Sequence, residues 1–197
     1  MEAATSVPTI EPHVIKPAAR RPTLGLRELW RHRELLYFFA WRELKVRYKQ
    51  TLLGVFWAVL QPLMYMVVFT LFFGKFLDVY RVGPYQLLAL SGSVIWLFFA
   101  NSVTLAAGSL TGNASLLTKV YFPRLLAPLA PVFAALVDLA LAIGVLVVVM
   151  AAYDIYPAPH RVWTAIPCIA LAMGAAAGVG AWLAALNVKY RDVRFVV

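Results

Sequence analysis

The chain repeatedly runs for twenty or more residues with almost no charge, and this dictates what it can fold into. Leu52–Phe73 and Val162–Leu186 contain no Asp, Glu, Lys or Arg, Val82–Thr118 contains none either, and Leu125–Ala152 contains only Asp138. About 20 apolar residues at 1.5 Å each cross a hydrocarbon layer of about 30 Å. A helix satisfies its own backbone donors and acceptors there, whereas an open sheet edge cannot. The expected fold is therefore an all-α integral membrane protein, with an N-terminal amphipathic interface helix followed by four transmembrane helices near 52–73, 86–110, 125–152 and 162–186. The second stretch is too long for one crossing, so a turn is placed at Thr111-Gly112-Asn113, and Gln61-Pro62 is expected to kink the first span. A soluble domain of this size could not bury a composition that is 62% hydrophobic with mean hydropathy +0.78.

The charges cluster outside those stretches. Of 18 Lys and Arg, ten precede Thr51, mixed with five acids, and most others lie between the apolar runs. Cations flanking apolar runs are topology signals before they are a nucleic-acid surface, so the net charge of +9 does not imply nucleic-acid binding. With the N-terminus inside, 15 cations fall on the cytoplasmic side and only Lys75, Arg81 and Arg161 outside, which predicts a cytoplasmic N-terminus. Tyr80, Tyr85, Tyr153, Tyr156 and Trp163 gather at the outer ends as an aromatic belt.

Residues 1–22 carry Pro8, Pro12 and Pro17 and lack the apolar core of a secretory signal, so they are expected to form a disordered tail. Over 23–50 a membrane-interface helix is predicted, with 51–197 as the transmembrane domain. Trp30, Tyr37, Trp41 and Tyr48 fall on its apolar side, facing lipid, while Arg42 and Lys45 fall on the side expected to face headgroups; Arg47 belongs to the same helix.

Asp138 is the lone acid deep in a predicted span, which makes it a functional candidate. A proton-coupling role would ask for a titratable partner at similar depth, and the other spans hold none. The residues instead suggest hydrogen bonds to Asn101, Ser102 or Thr104. Phe69, Phe72, Trp96 and Phe99, with Asn101, could line a conduit or face lipid, and the sequence leaves both open. Gly174 to Gly178, with Gly180, supplies a small-residue face for helix packing, and Cys168 is expected to be a small buried hydrophobe. There is no Gly-Lys-Ser/Thr nucleotide loop, no metal-ligand spacing and no nucleophile with a base, and His13, His32 and His160 are isolated. No cofactor is expected in this chain, so energy must come from a partner. The segment from Asn113 to Arg124 is read as a short surface helix, with Leu116, Leu117, Val120 and Leu125 at helical spacing beside the cations Lys119 and Arg124.

Three segments carry a family resemblance: Trp41-Arg-Glu-Leu-Lys-Val-Arg-Tyr-Lys-Gln-Thr-Leu-Leu-Gly-Val-Phe-Trp-Ala-Val-Leu-Gln-Pro62, Leu117-Thr-Lys-Val-Tyr-Phe-Pro-Arg124 and Asn187-Val-Lys-Tyr-Arg-Asp-Val193. In this order they resemble the type-2 ABC exporter permeases for O-antigen, capsule and teichoic-acid glycans. The resemblance implies a homodimeric permease in the bacterial inner membrane, each subunit docked on a separate ABC ATPase subunit that binds ATP and Mg. It implies that residues 113–124 form the ATPase coupling helix, with Asn113, Leu116, Leu117, Lys119, Tyr121, Phe122 and Arg124 on it. The implied substrate is a glycan on a polyprenyl-diphosphate lipid. Members of that family usually have six spans, and this chain ends before a fifth, so a truncated architecture is expected. Competing readings are a drug or lipid exporter of the same architecture, a membrane-embedded glycan-processing enzyme, and a remnant that only binds the ATPase. The enzyme reading would need catalytic groups on the outer loops, where Lys75, Asp78, Arg81 and Asp154 are scattered.

Overall fold

The computed structural model describes residues 30–49, 52–73, 84–113 and 123–190. Among the described residues there are five helices: α1 (Arg33–Lys49), α2 (Leu52–Phe73), α3 (Tyr85–Gly112), α4 (Leu126–Ala152) and α5 (Pro159–Lys189). Four of them are long and apolar enough to cross a membrane, over Gly54–Phe73, Tyr85–Gly112, Leu126–Ala152 and Val162–Lys189. The expected architecture of one leading helix and four spans is therefore present.

Local chemistry sets the ends. Pro84 caps α3 in an extended conformation, and α5 begins on Pro159, whose fixed φ suits a first helical turn. α3 ends where the Asn113 N–H bonds back to the Ser109 carbonyl, so Thr111 and Gly112 are helical and the expected turn begins two residues later. Between α4 and α5 the Tyr153 N–H reaches the Val149 and Met150 carbonyls and the Ile155 N–H that of Met150. Asp154 takes φ 54° there, a left-handed conformation that Asp tolerates better than most side chains. α5 extends through Lys189, past the boundary expected near residue 186, and so carries Asn187 on its last turn.

α3 is the centre of the bundle, packed against α2, α4 and α5. Its Leu90, Val94, Phe98 and Ala106 meet Val132, Ala135 and Leu139 of α4 and Ala176 of α5 in one core. The buried face of α3 also carries Ser93 and Ser109, whose hydroxyls donate to the Leu90 and Ala106 carbonyls of their own helix. Small side chains there let helices approach closely, which matters in lipid because apolar burial no longer drives association. The closest approach is at Gly180, where an added Cβ would lie 2.6 Å from the Ala106 Cβ. Gly174 and Gly178 have nothing within 4 Å of such a position, so of these three glycines Gly180 is the one at a close crossing, while Ala176 of the same face is buried in the core.

α2 contributes little to the core. Pro62 is its buried residue, while Phe56, Trp57, Phe69, Leu71, Phe72 and Phe73 are all exposed, as a helix bathed in lipid permits. Cys168 is also exposed, not buried as expected. In a spanning helix both the outer and inner faces are apolar, so composition alone cannot separate them.

Candidate functional site

Asp138 is the centre of a polar cluster drawn from two helices far apart in sequence. Its carboxylate accepts from the Arg47 guanidinium through Nη1 and from the Tyr48 hydroxyl. The ion pair is largely withdrawn from solvent, with Arg47 27% and Asp138 19% exposed. Burial, and then the hydrogen bond to Asp138, pushes the Tyr48 phenol up, so Tyr48 remains a proton donor to the carboxylate. These partners replace those the sequence suggested. The Thr104 hydroxyl donates to the Ala100 carbonyl, and Ser102 is fully buried in the interior of α3.

The pairing also sets Asp138 beside the start of α2, since Arg47 and Tyr48 precede the first residues of that helix and both touch the acid. Asp138 is nonetheless near the middle of its own 27-residue helix.

A second clasp joins α1 to the end of α3. Arg42 donates through Nη2 to Asn113 Oδ1 and lies 3.5 Å from Glu43, while Asn113 Nδ2 donates to the Ser109 carbonyl at 2.9 Å. Arg42 thus reaches the end of α3 while its side chain stays 42% exposed, and Tyr48 turns inward to Asp138 from the side expected to face lipid. No residue of α1 is fully buried, so the polar contacts add to a packing face of partly buried Leu36, Phe39, Ala40 and Leu44. Its other face is aromatic and exposed: Trp30, Tyr37 and Trp41, with Tyr37 stacked on Trp41 at 6.3 Å and Lys45 Nζ 5.7 Å from the Trp41 ring.

A cavity of about 600 Å³ opens beside the Asp138 cluster. Arg47, Tyr48, Asn101, Thr104, Asp138 and Gln61 supply its polar wall, and Trp57, Pro62, Val94, Phe98, Leu139 and Ala142 are among its apolar lining. A second cavity of about 460 Å³ lies by the other clasp, lined by Arg42, Glu43, Asn113 and Asn187 among others. Asn187 is 4% exposed and its Nδ2 donates to the Ala107 carbonyl at 3.0 Å, tying the end of α5 to α3. Replacing it, Asn187→Ala, is expected to cost about 1–2 kcal/mol, read as a lower unfolding midpoint in detergent. An unchanged midpoint would show that the bond adds nothing.

Of the suggested conduit residues, Asn101 lines the larger cavity. Phe69, Phe72 and Trp96 are exposed on the outside of this bundle, and Phe99 packs half-buried on the core. In the coupling segment the described residues are Asn113, Pro123 and Arg124, the last exposed. Leu116, Leu117, Lys119, Tyr121 and Phe122 lie outside the described residues. Among the described residues no three His, Cys, Asp or Glu side chains converge as a metal site would require.

Residues 34–197 match the family described as ABC-2 type transporter. The chain belongs to that family. It is 30% identical over 172 residues to the O-antigen export system permease protein RfbA of Myxococcus xanthus, covering 87% of this chain and 65% of that protein. It is 33% identical over 165 residues to a protein of the same description from Klebsiella pneumoniae, covering 83% of this chain and 63% of that protein. The chain thus spans less than two thirds of the length of these relatives. As an ABC-2 family member with four apolar helices, it is a multi-pass membrane protein. The matched region takes in both clasps of α1 and the Asn187 tie, so the polar joints between helices all belong to the family-like part of the chain.

Proposed function

We propose that this chain is the membrane-spanning part of a permease that exports a lipid-linked, O-antigen-like polysaccharide across the bacterial inner membrane. The observation that carries this reading is the similarity, over more than four fifths of the chain, to proteins described as O-antigen export permeases. The N-terminus is cytoplasmic, on the strength of the cation distribution. Two copies form the conduit, and a separate ABC ATPase binds ATP and Mg and docks on residues 113–124. The clasp between Arg42 and Asn113 supports this arrangement, since it joins α1 to the first residue of that docking segment.

The test uses the permease in its host, with its ATPase. The two should co-purify, and cells lacking the permease should accumulate the lipid-linked glycan on the cytoplasmic side. Accumulation of a drug or a simple phospholipid instead would overturn the cargo assignment. Tyr121→Asp or Phe122→Asp is expected to leave ATP hydrolysis running while export falls about tenfold, the size of a lost coupling free energy. Unchanged export would remove residues 113–124 from the coupling role.

A further inference from the structure

The larger cavity is charged at one end and mostly apolar elsewhere. Arg47 and Tyr48 of α1 and Asp138 of α4 form its mouth, with Asn101 and Thr104 of α3 and Gln61 of α2 as further polar groups. Trp57 and Pro62 on α2, Val94 and Phe98 on α3, and Leu139 and Ala142 on α4 also line it. A charged mouth beside a largely apolar wall fits an amphiphile. It fits neither a sugar, which would leave the inner wall unpaired with its hydroxyls, nor a simple anion.

The charges narrow the choice. The mouth holds one cation and one anion, Arg47 and Asp138, in contact, and their charges sum to zero. An anionic headgroup would gain Arg47 but meet the Asp138 carboxylate, and the repulsion would be strong at this low local dielectric. A headgroup with one phosphate and one ammonium matches both. The guanidinium presents five donors in a planar fork suited to phosphate oxygens, and the carboxylate can accept from an ammonium. Trp57 on the cavity wall offers a ring face to the same cation. Gln61, the one polar side chain farther along α2, can donate to an ester carbonyl. A volume of about 600 Å³ holds the headgroup and the first part of an acyl chain.

We propose that this cavity binds one zwitterionic phospholipid of the ethanolamine type per chain, its phosphate on Arg47 and its ammonium on Asp138. The bound lipid is a resident of the fold and distinct from the exported cargo. It fills the space between α1 and the bundle, where α1 has no buried side chain of its own.

The test is native mass spectrometry of the purified chain, in mild detergent, with phosphatidylethanolamine and phosphatidylglycerol offered at equal concentration. The wild type is expected to retain one phosphatidylethanolamine with about tenfold preference, the worth of one charge-assisted contact. Asp138→Asn should lose that preference, and Arg47→Gln should lose both lipids. Ala58→Phe fills the cavity from the lightly packed α2 without touching the ion pair, and should abolish retention while the chain stays folded by circular dichroism. Equal retention in Ala58→Phe and wild type would overturn the proposal. So would a wild-type preference for phosphatidylglycerol, or a prenyl-diphosphate species as the lipid retained from the host.

Discussion

Asp138→Leu is expected to destabilise the bundle by about 2–3 kcal/mol, and the double change Arg47→Met with Asp138→Leu to recover most of that loss. Removing one partner of a fully buried pair costs about 3–5 kcal/mol, because the other charge is left without compensation, whereas exposed pairs contribute about 0–1 kcal/mol. Arg47 at 27% and Asp138 at 19% exposed lie between these limits, nearer the buried one. Tyr48 adds to the cost, since its hydroxyl also loses its acceptor. The double variant replaces both charges with apolar groups and leaves no charge uncompensated. The measurement is a thermal double-mutant cycle in detergent, with proteolysis near α1 followed in parallel. A coupling energy indistinguishable from zero would mean that the pair does not hold α1, and early cleavage in the single variant alone would confirm that it does.

This pair also shows where the sequence was legible and where it was not. The four spans follow from stretches of 22 residues or more with at most one charge, because the bilayer enforces helices of nearly fixed length, and the leading helix follows from its helical spacing of aromatics and cations. Asp138 stands out for the same reason, as the one charge within such a stretch. Its partners do not, because Arg47 and Tyr48 lie 91 and 90 residues away on a helix whose cations look like headgroup contacts. One signal did point to them. An acid in an apolar helix needs a cation, and the Arg and Lys of α1 are the cations that enter the membrane beside it.

The two clasps give α1 a consequence beyond stability. It contacts the end of α3 through Arg42 and the body of α4 through Arg47 and Tyr48, so it bridges the two helices that flank residues 114–122. Polar contacts of this kind exchange partners more readily than packed apolar side chains, which have few alternative arrangements. A helix tied by them, with apolar side chains that are only partly buried, is suited to shift relative to the bundle while the core of α3, α4 and α5 stays intact.

At the opposite extreme of rigidity, Gly180→Leu is expected to abolish the α3–α5 crossing and leave little folded protein. Even the first added carbon, in Gly180→Ala, would stand 2.6 Å from the Ala106 Cβ, well inside the 3.5–4.0 Å of a favourable carbon contact. The neighbouring atoms are short side chain and backbone, which have no flexible end to move aside, so the helices must separate. Overpacking of this sort costs about 1–3 kcal/mol for small additions and more for large ones, so Gly180→Ala should fall in that range and Gly180→Leu beyond it. Gly174→Ala and Gly178→Ala meet nothing within 4 Å and should be neutral or slightly stabilising, because Ala outranks Gly as a helix former. The decisive variant is Gly180→Ala combined with Ala106→Gly. The next atoms the new Cβ would meet are the Ala106 and Val103 Cα atoms, both at 3.9 Å, an ordinary contact. Removing the Ala106 Cβ should therefore restore stability to near wild type in the same detergent melt. Failure of that exchange, with Gly180→Ala as damaging as before, would show that the crossing is held by something other than the fit of these two residues.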